Sequence, residues 1–60
     1  MKIETAKKIL RKEADFLGMD AKQLVRDIQS MKNPVMVYPK KVVEACQVYL
    51  TSLINKYENA

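Results

Sequence analysis

The polar residues best placed for chemistry lie on a short predicted helix that follows the only glycine of the chain, Gly18. Two helices joined by a tight glycine turn are the core of a helix-turn-helix, in which the second helix reads DNA. The same arrangement also serves as an ordinary helical corner. The exposed side of this second helix is predicted to carry Lys22, Gln23, Arg26, Gln29 and Ser30.

A second group of charged residues lies on the helix before the glycine, opposite its apolar stripe. The chain has a net charge of +4, and residues 1–32 hold eight basic and five acidic side chains against three and two in residues 33–60. A basic face of this kind is compatible with nucleic acid, and a merely solvated face is the alternative. Its basic residues are Lys7, Lys8, Arg11 and Lys12.

The sequence contains few of the side-chain arrangements that catalysis or metal binding requires. It contains no histidine and one cysteine, which excludes an internal disulfide and a Cys/His zinc site. Cys46 falls on an apolar helix face, where a thiol behaves as a small hydrophobe. Sixty residues also leave little room for a substrate pocket. We therefore expect a protein that binds rather than catalyses, with no cofactor and no metal.

The apolar pattern predicts one all-α domain over residues 1–60. A first helix over about 4–17 ends at Gly18, and a second covers about 21–31. Asp20 suits the N-cap of the second helix, with Gln23 three residues later as in a capping box.

The second half of the chain is predicted to contain a connector and a long helix. Pro34 breaks the second helix, and the β-branched residues that follow predict an extended connector over 33–38. A third helix is predicted over about 39–59, with Pro39 at its first position.

The third helix carries an apolar seam at the 3-4 spacing that is typical of coiled coils. A domain of this size buries only about 60% of the surface of its unfolded chain, so self-association is a common remedy. The seam predicts a dimer, and an intramolecular three-helix bundle is the alternative. The connector is a second candidate for the contact between copies. The predicted interface residues on the helix are Val43, Cys46, Tyr49, Leu50, Leu53 and Tyr57.

The segment around the glycine is similar to the helix-turn-helix of the Fis-type family of bacterial DNA-binding proteins. The resemblance covers about residues 13–31, and its motif combines a small residue, a glycine turn and apolar residues that hold the second helix. The matching residues are Ala14, Leu17-Gly18-Met19, Leu24, Arg26 and Ile28.

The resemblance implies a role for each polar residue. Lys22, Gln23 and Arg26 would enter the major groove, where lysine or arginine can pair with guanine and glutamine with adenine. Gln29 and Ser30 would touch phosphate or sugar. The basic residues of the first helix would line the DNA backbone, which sets position but not sequence. A dimer would place two reading helices about 34 Å apart.

Double-stranded DNA is thus the leading expected partner, and the expected function is that of a small dimeric transcription regulator. The alternative is a small helical dimer that regulates a larger protein, through exposed apolar residues such as Ile9, Phe16, Met36 or Val48, without nucleic acid. A third candidate is an assembly subunit with no activity of its own. The sequence has neither a signal-peptide pattern nor an apolar run of about 18 residues, so we expect a cytoplasmic protein.

Overall fold

Three helices and one short 3-10 turn make up the part of the chain that the structure, a computed structural model, describes. Residues 1–58 are described, and side chains up to residue 56. The helices are α1 (Ile3–Leu17), α2 (Ala21–Ser30) and α3 (Lys40–Glu58), and residues 1–58 contain no strand. The prediction of an all-α, three-helix chain is confirmed. The predicted end of the third helix at residue 59 and the side chain of Tyr57 lie outside the described part.

Gly18 ends α1 in the left-handed conformation, with φ 70° and ψ 34°. Its N–H donates to the carbonyl oxygen of Asp15 (3.2 Å), and the N–H of Met19 donates to the carbonyl oxygen of Ala14 (2.9 Å). This pair of hydrogen bonds is the Schellman motif, which satisfies carbonyl groups that a helix end leaves unpaired. The glycine therefore ends the first helix as the sequence predicts.

The start of α2 differs from its prediction. Asp20 occupies the N-cap position with extended backbone, and its carbonyl oxygen accepts the first helical hydrogen bond from Leu24 (3.0 Å). Its carboxylate makes no capping hydrogen bond, so the predicted capping box with Gln23 is wrong. Because Asp20 is exposed, water can satisfy the first N–H groups of α2 instead.

The connector between α2 and α3 is a compact turn, so the extended segment predicted over 33–38 is wrong. Pro34 begins a 3-10 turn that runs to Met36. The N–H of Met36 donates to Asn33 (3.1 Å), and the N–H groups of Val37 and Tyr38 donate to Pro34 (3.0 and 2.8 Å). With no strand to pair with in the described chain, these N–H groups find local partners, and the fixed φ of proline favours such a turn.

The hydrophobic core lies where the three helices meet. α1 packs mainly against α3, and α2 packs against α1 more than against α3. The three alanines of the core, at 1% exposure or less, are among its most buried residues, and a methyl side chain lets two helices approach closely. The core residues are Ala6, Leu10 and Ala14 of α1, Leu24, Val25 and Ile28 of α2, and Val42, Ala45 and Cys46 of α3.

The apolar seam of α3 packs largely inside the chain. Val43 is 6% exposed and Cys46 is 1% exposed, while Tyr49 and Leu50 pack half-buried against the core and Leu53 is also half-buried. The prediction that Val43 and Cys46 contact a second copy is therefore wrong, because their side chains are already buried within their own chain.

Pro39 precedes α3 rather than forming its first helical residue. Its carbonyl oxygen accepts hydrogen bonds from the N–H groups of Val42 (3.0 Å) and Val43 (3.2 Å).

No helix within residues 1–58 has the length and apolar character needed to cross a bilayer.

Replacement of Gly18 by alanine is expected to destabilise the chain by about 1–2 kcal/mol, because a Cβ disfavours the left-handed conformation. A Cβ added here would meet no atom within 4 Å, so the cost comes from the backbone alone. Gly18→Asn is the matched control, since asparagine tolerates this conformation better. Urea unfolding measures both variants, and equal losses for Ala and Asn would contradict the backbone explanation.

Candidate nucleic-acid interface

α2 leaves its polar face uncovered. Its buried residues lie on the opposite side, against α1, and α3 packs only weakly against it. A large object such as a duplex can therefore approach this face without displacing another helix of the described chain. The exposed residues are Lys22, Gln23, Arg26, Gln29 and Ser30.

A groove joins the start of α2 to α1, and we call it the basic groove. It has a volume of about 250 Å³. Three cations from two helices surround an apolar floor, and a tyrosine of α3 forms one wall. The lining residues are Lys7 and Arg11 of α1, Lys22 of α2, the floor residues Leu10, Ala21 and Val25, and Tyr49.

The four basic residues predicted on the first helix do not act as one group. Lys7 and Arg11 line the basic groove beside α2, whereas Lys8 and Lys12 lie along a different groove on the outer side of α1. Arg11 borders both grooves. Only Lys7 and Arg11 therefore join Lys22 in a common surface, and Lys8 and Lys12 point to another flank.

Carboxylates surround the other edge of the polar face. Gln23 lines a groove of about 340 Å³ at the glycine corner together with Asp15 and Asp20. A phosphate close to Gln23 would meet these two negative charges. The positive part of the surface is therefore the side of α2 that carries Lys22, Arg26 and Gln29, which fall on one stripe because they are spaced by four and three residues.

Asp27 anchors the connector to α2. The Tyr38 hydroxyl donates to the Asp27 Oδ2 atom at 2.8 Å, across 11 residues of sequence. The Ser30 hydroxyl donates to the backbone carbonyl oxygen of Asp27, also at 2.8 Å. Ser30 is thus occupied within its own helix, and the role as phosphate donor predicted for it is not supported by this geometry.

The hydrogen bond to Asp27 raises the pKa of Tyr38 above its usual 10.0, and burial and the negative charges of Asp27 and Glu13 add to the shift. A neutral tyrosine is favoured because it can donate to the carboxylate, whereas a tyrosinate would repel it. The Tyr38–Asp27 bond therefore stabilises the fold below the unfolded pKa of tyrosine and is lost as the pH rises through the folded pKa.

The described side chains show neither an activated thiol nor a metal-binding cluster. Burial raises the pKa of the Cys46 thiol, which disfavours the reactive thiolate. The described residues contain no group of three or more histidine, cysteine, aspartate or glutamate side chains arranged to hold a metal ion.

Two tyrosines have positions that the sequence reasoning missed. Tyr49 was expected between two copies of the chain, but it forms a wall of the basic groove. The sequence places Tyr38 in an extended connector as a core or interface anchor, and the structure shows that it fastens the connector to α2. The proline before Tyr38 in sequence, Pro34, was the available signal, because a proline-led turn brings the following residues back towards the preceding helix.

Comparisons of this chain with models of protein families, with curated proteins and with solved structures find no match. The assignment of a role to this surface therefore rests on its own residues and geometry.

Replacement of Tyr38 by phenylalanine is expected to lower the free energy of unfolding by about 1 kcal/mol at neutral pH, because one hydrogen bond is lost. The parent should lose this advantage as the pH rises above about 10, so the two stability curves should converge there. Tyr49→Phe is the matched control. Urea unfolding between neutral pH and pH 11 tests this, and a constant gap between parent and Tyr38→Phe would contradict it.

Proposed function

We propose that the chain is a small DNA-binding regulator that contacts duplex DNA through the polar face of α2 and the basic groove. One observation carries the proposal: cations from two separate helices, Lys7 and Arg11 on α1 and Lys22 on α2, border a single groove. Arg26 and Gln29 extend this surface along α2, and all these residues are exposed.

The proposed division of roles follows from position. Lys22 and Arg26 contact base edges in the major groove, since long cationic side chains reach the acceptors of guanine. Lys7 and Arg11 contact phosphates beside it and fix the orientation of α2. Gln23 contributes less than the resemblance to Fis-type proteins implies, because Asp15 and Asp20 border the same groove.

The test is binding of mixed-sequence duplex DNA at two salt concentrations. Arg26→Ala and Lys22→Ala are each expected to weaken binding by about 3- to 10-fold while the helical circular dichroism signal is retained. Lys7→Ala should reduce the salt slope by about 0.9 log units per log unit of salt, which corresponds to one phosphate contact.

The structure offers two matched controls for these variants. Lys40→Ala removes the same charge at the start of α3, and Lys12→Ala removes it from the outer flank of α1. Both should bind DNA nearly as well as the parent. If Lys40→Ala and Lys22→Ala lose DNA affinity equally, the binding depends only on net charge and not on this surface. Unchanged DNA binding by Arg26→Ala would refute the role of α2.

Self-association is part of the proposal, and its contact is placed on the connector. Val35, Met36 and Val37 are 58%, 83% and 66% exposed, which is unusual for three consecutive apolar side chains. Val43 and Cys46 are buried, so the seam of α3 offers a second copy less apolar surface than its spacing suggests. A homodimer through the connector would cover these side chains and supply a second reading helix.

Replacement of Met36 by lysine is expected to shift the molecular mass measured by sedimentation from that of a dimer to that of a single chain, because a charge in the contact must be desolvated. Lys32→Glu near the connector serves as a charge-changing control outside the apolar triplet. A parent protein that sediments as a single chain at high concentration would contradict the dimer.

The second candidate function is regulation of a larger protein without nucleic acid. It is favoured by Phe16, which is 85% exposed at the end of α1, together with the connector. Exposed aromatic side chains are typical anchors of protein interfaces. Under this second function the parent does not bind duplex DNA, and Phe16→Ser abolishes binding to the protein partner. Under the DNA-binding proposal the parent binds duplex DNA, and Phe16→Ser leaves that binding intact.

A further inference from the structure

The basic groove combines features that a DNA backbone does not use. Its floor is aliphatic: Leu10 is 2% exposed, Val25 is 7% exposed, and Ala21 is half-buried. The half-buried ring of Tyr49 forms a wall. A phosphate group can meet the rim, but it has no apolar body with which to cover this floor.

The rim of the groove is positively charged and therefore attracts anions. Its cations are Lys7, Arg11 and Lys22, and the residues that line the groove in the described chain include no carboxylate. Three like charges around one opening repel one another, and an anion placed among them relieves that repulsion. Asp15 and Asp20 line a separate groove beside Gln23, and Asp15 also lines the outer groove of α1, which Arg11 borders.

The backbone adds to this preference. Ala21 and Lys22 are the first two residues of α2 and both line the groove. The first bond of α2 to the N-cap carbonyl comes from Leu24, and no side chain caps the N–H groups before it. Uncapped N–H groups at a helix start favour a nearby anion, and the groove lies beside this helix start.

We infer that the basic groove is a binding site for a small aromatic anion, whose charged group lies among Lys7, Arg11 and Lys22 and whose ring lies against Ala21 and Tyr49 on the apolar side of the groove. The ligand class is an arene carboxylate or sulfonate. Binding of such a ligand does not require the DNA-binding function. If that function holds, the ligand occupies the cations that a duplex needs, so it acts as a competitor.

The direct test is a titration of the full chain with 2-naphthoate, in which NMR measures the chemical shifts of the backbone amides at each step. A ligand of this size that is bound at an open groove is expected to have a dissociation constant of about 1 mM. The largest shifts should fall on Leu10, Ala21, Lys22 and Tyr49. Lys22→Ala and Lys7→Ala should each weaken binding by up to about fivefold, since each removes one solvent-exposed ion pair, and Lys40→Ala should not.

Two further ligands separate the ring from the charge. Acetate carries the carboxylate without the ring, and 2-naphthalenemethanol carries the ring without the charge. Both should bind at least several-fold more weakly than 2-naphthoate. Equal binding of the alcohol, or shifts centred on Phe16 and Met36, would reduce the effect to general hydrophobic adsorption and overturn the inference.

Ala21→Leu is the sharpest variant, because it fills the apolar floor and leaves all three cations in place. Leucine is a good helix former, so α2 should persist, as its circular dichroism signal would show. We expect this variant to lose 2-naphthoate binding and to keep any duplex binding. If Ala21→Leu binds 2-naphthoate as tightly as the parent does, the site is refuted. Duplex binding by Lys22→Ala tests the proposed DNA-binding function and not the 2-naphthoate site.

Discussion

Close packing of α1 against α3 is the constraint on which the rest of the structure depends. Ala6 and Ala45 are fully buried and Ala14 is almost so. In a chain of 60 residues the core has few large side chains, so stability depends on helices that come close together. A larger residue at any of these alanines would force the helices apart. α2 is joined to α1 by the turn at Gly18 and packs against α1 more than against α3, so its place depends on that of α1.

The basic groove is a result of that packing. Its cations come from α1 and α2, its floor comes from residues at the edge of the core, and Tyr49 of α3 completes it. No single helix contains the site. The Tyr38–Asp27 hydrogen bond has a related effect at the far end of α2, because it holds the connector against the helix. The polar face of α2 is therefore supported at both ends and stays exposed between them.

Helix positions and buried faces could be predicted from the sequence because both are local properties. Leu10, Leu24 and Ile28 recur at helical spacing with other apolar residues, and each is buried. The connector was predicted wrongly because the β-branched residues favour an extended chain only where a strand is available for pairing. The seam of α3 was ambiguous for a different reason. Apolar residues at 3-4 spacing show that one side of a helix is covered, but not whether the same chain or a second copy covers it.

The site could be predicted only in part. Exposure of Lys22 and Arg26 follows from the period of α2, since they lie opposite its apolar stripe. The separation of Lys7 from Lys8 and Lys12, with Arg11 between the two grooves, does not follow, because it depends on how α1 is rotated relative to α2. That rotation is decided by the packing of the whole core. The same holds for Tyr49, whose place beside the cations is visible only once three helices are assembled.

The burial of Cys46 gives the molecule a built-in reporter. This residue is the only cysteine of the chain, it is 1% exposed, and its pKa is raised by the surrounding core. Because the thiol is buried, we expect a thiol reagent to reach it when the core opens. The rate at which such a reagent labels the protein therefore reports how often the core opens, and the measurement needs no substitution in the chain.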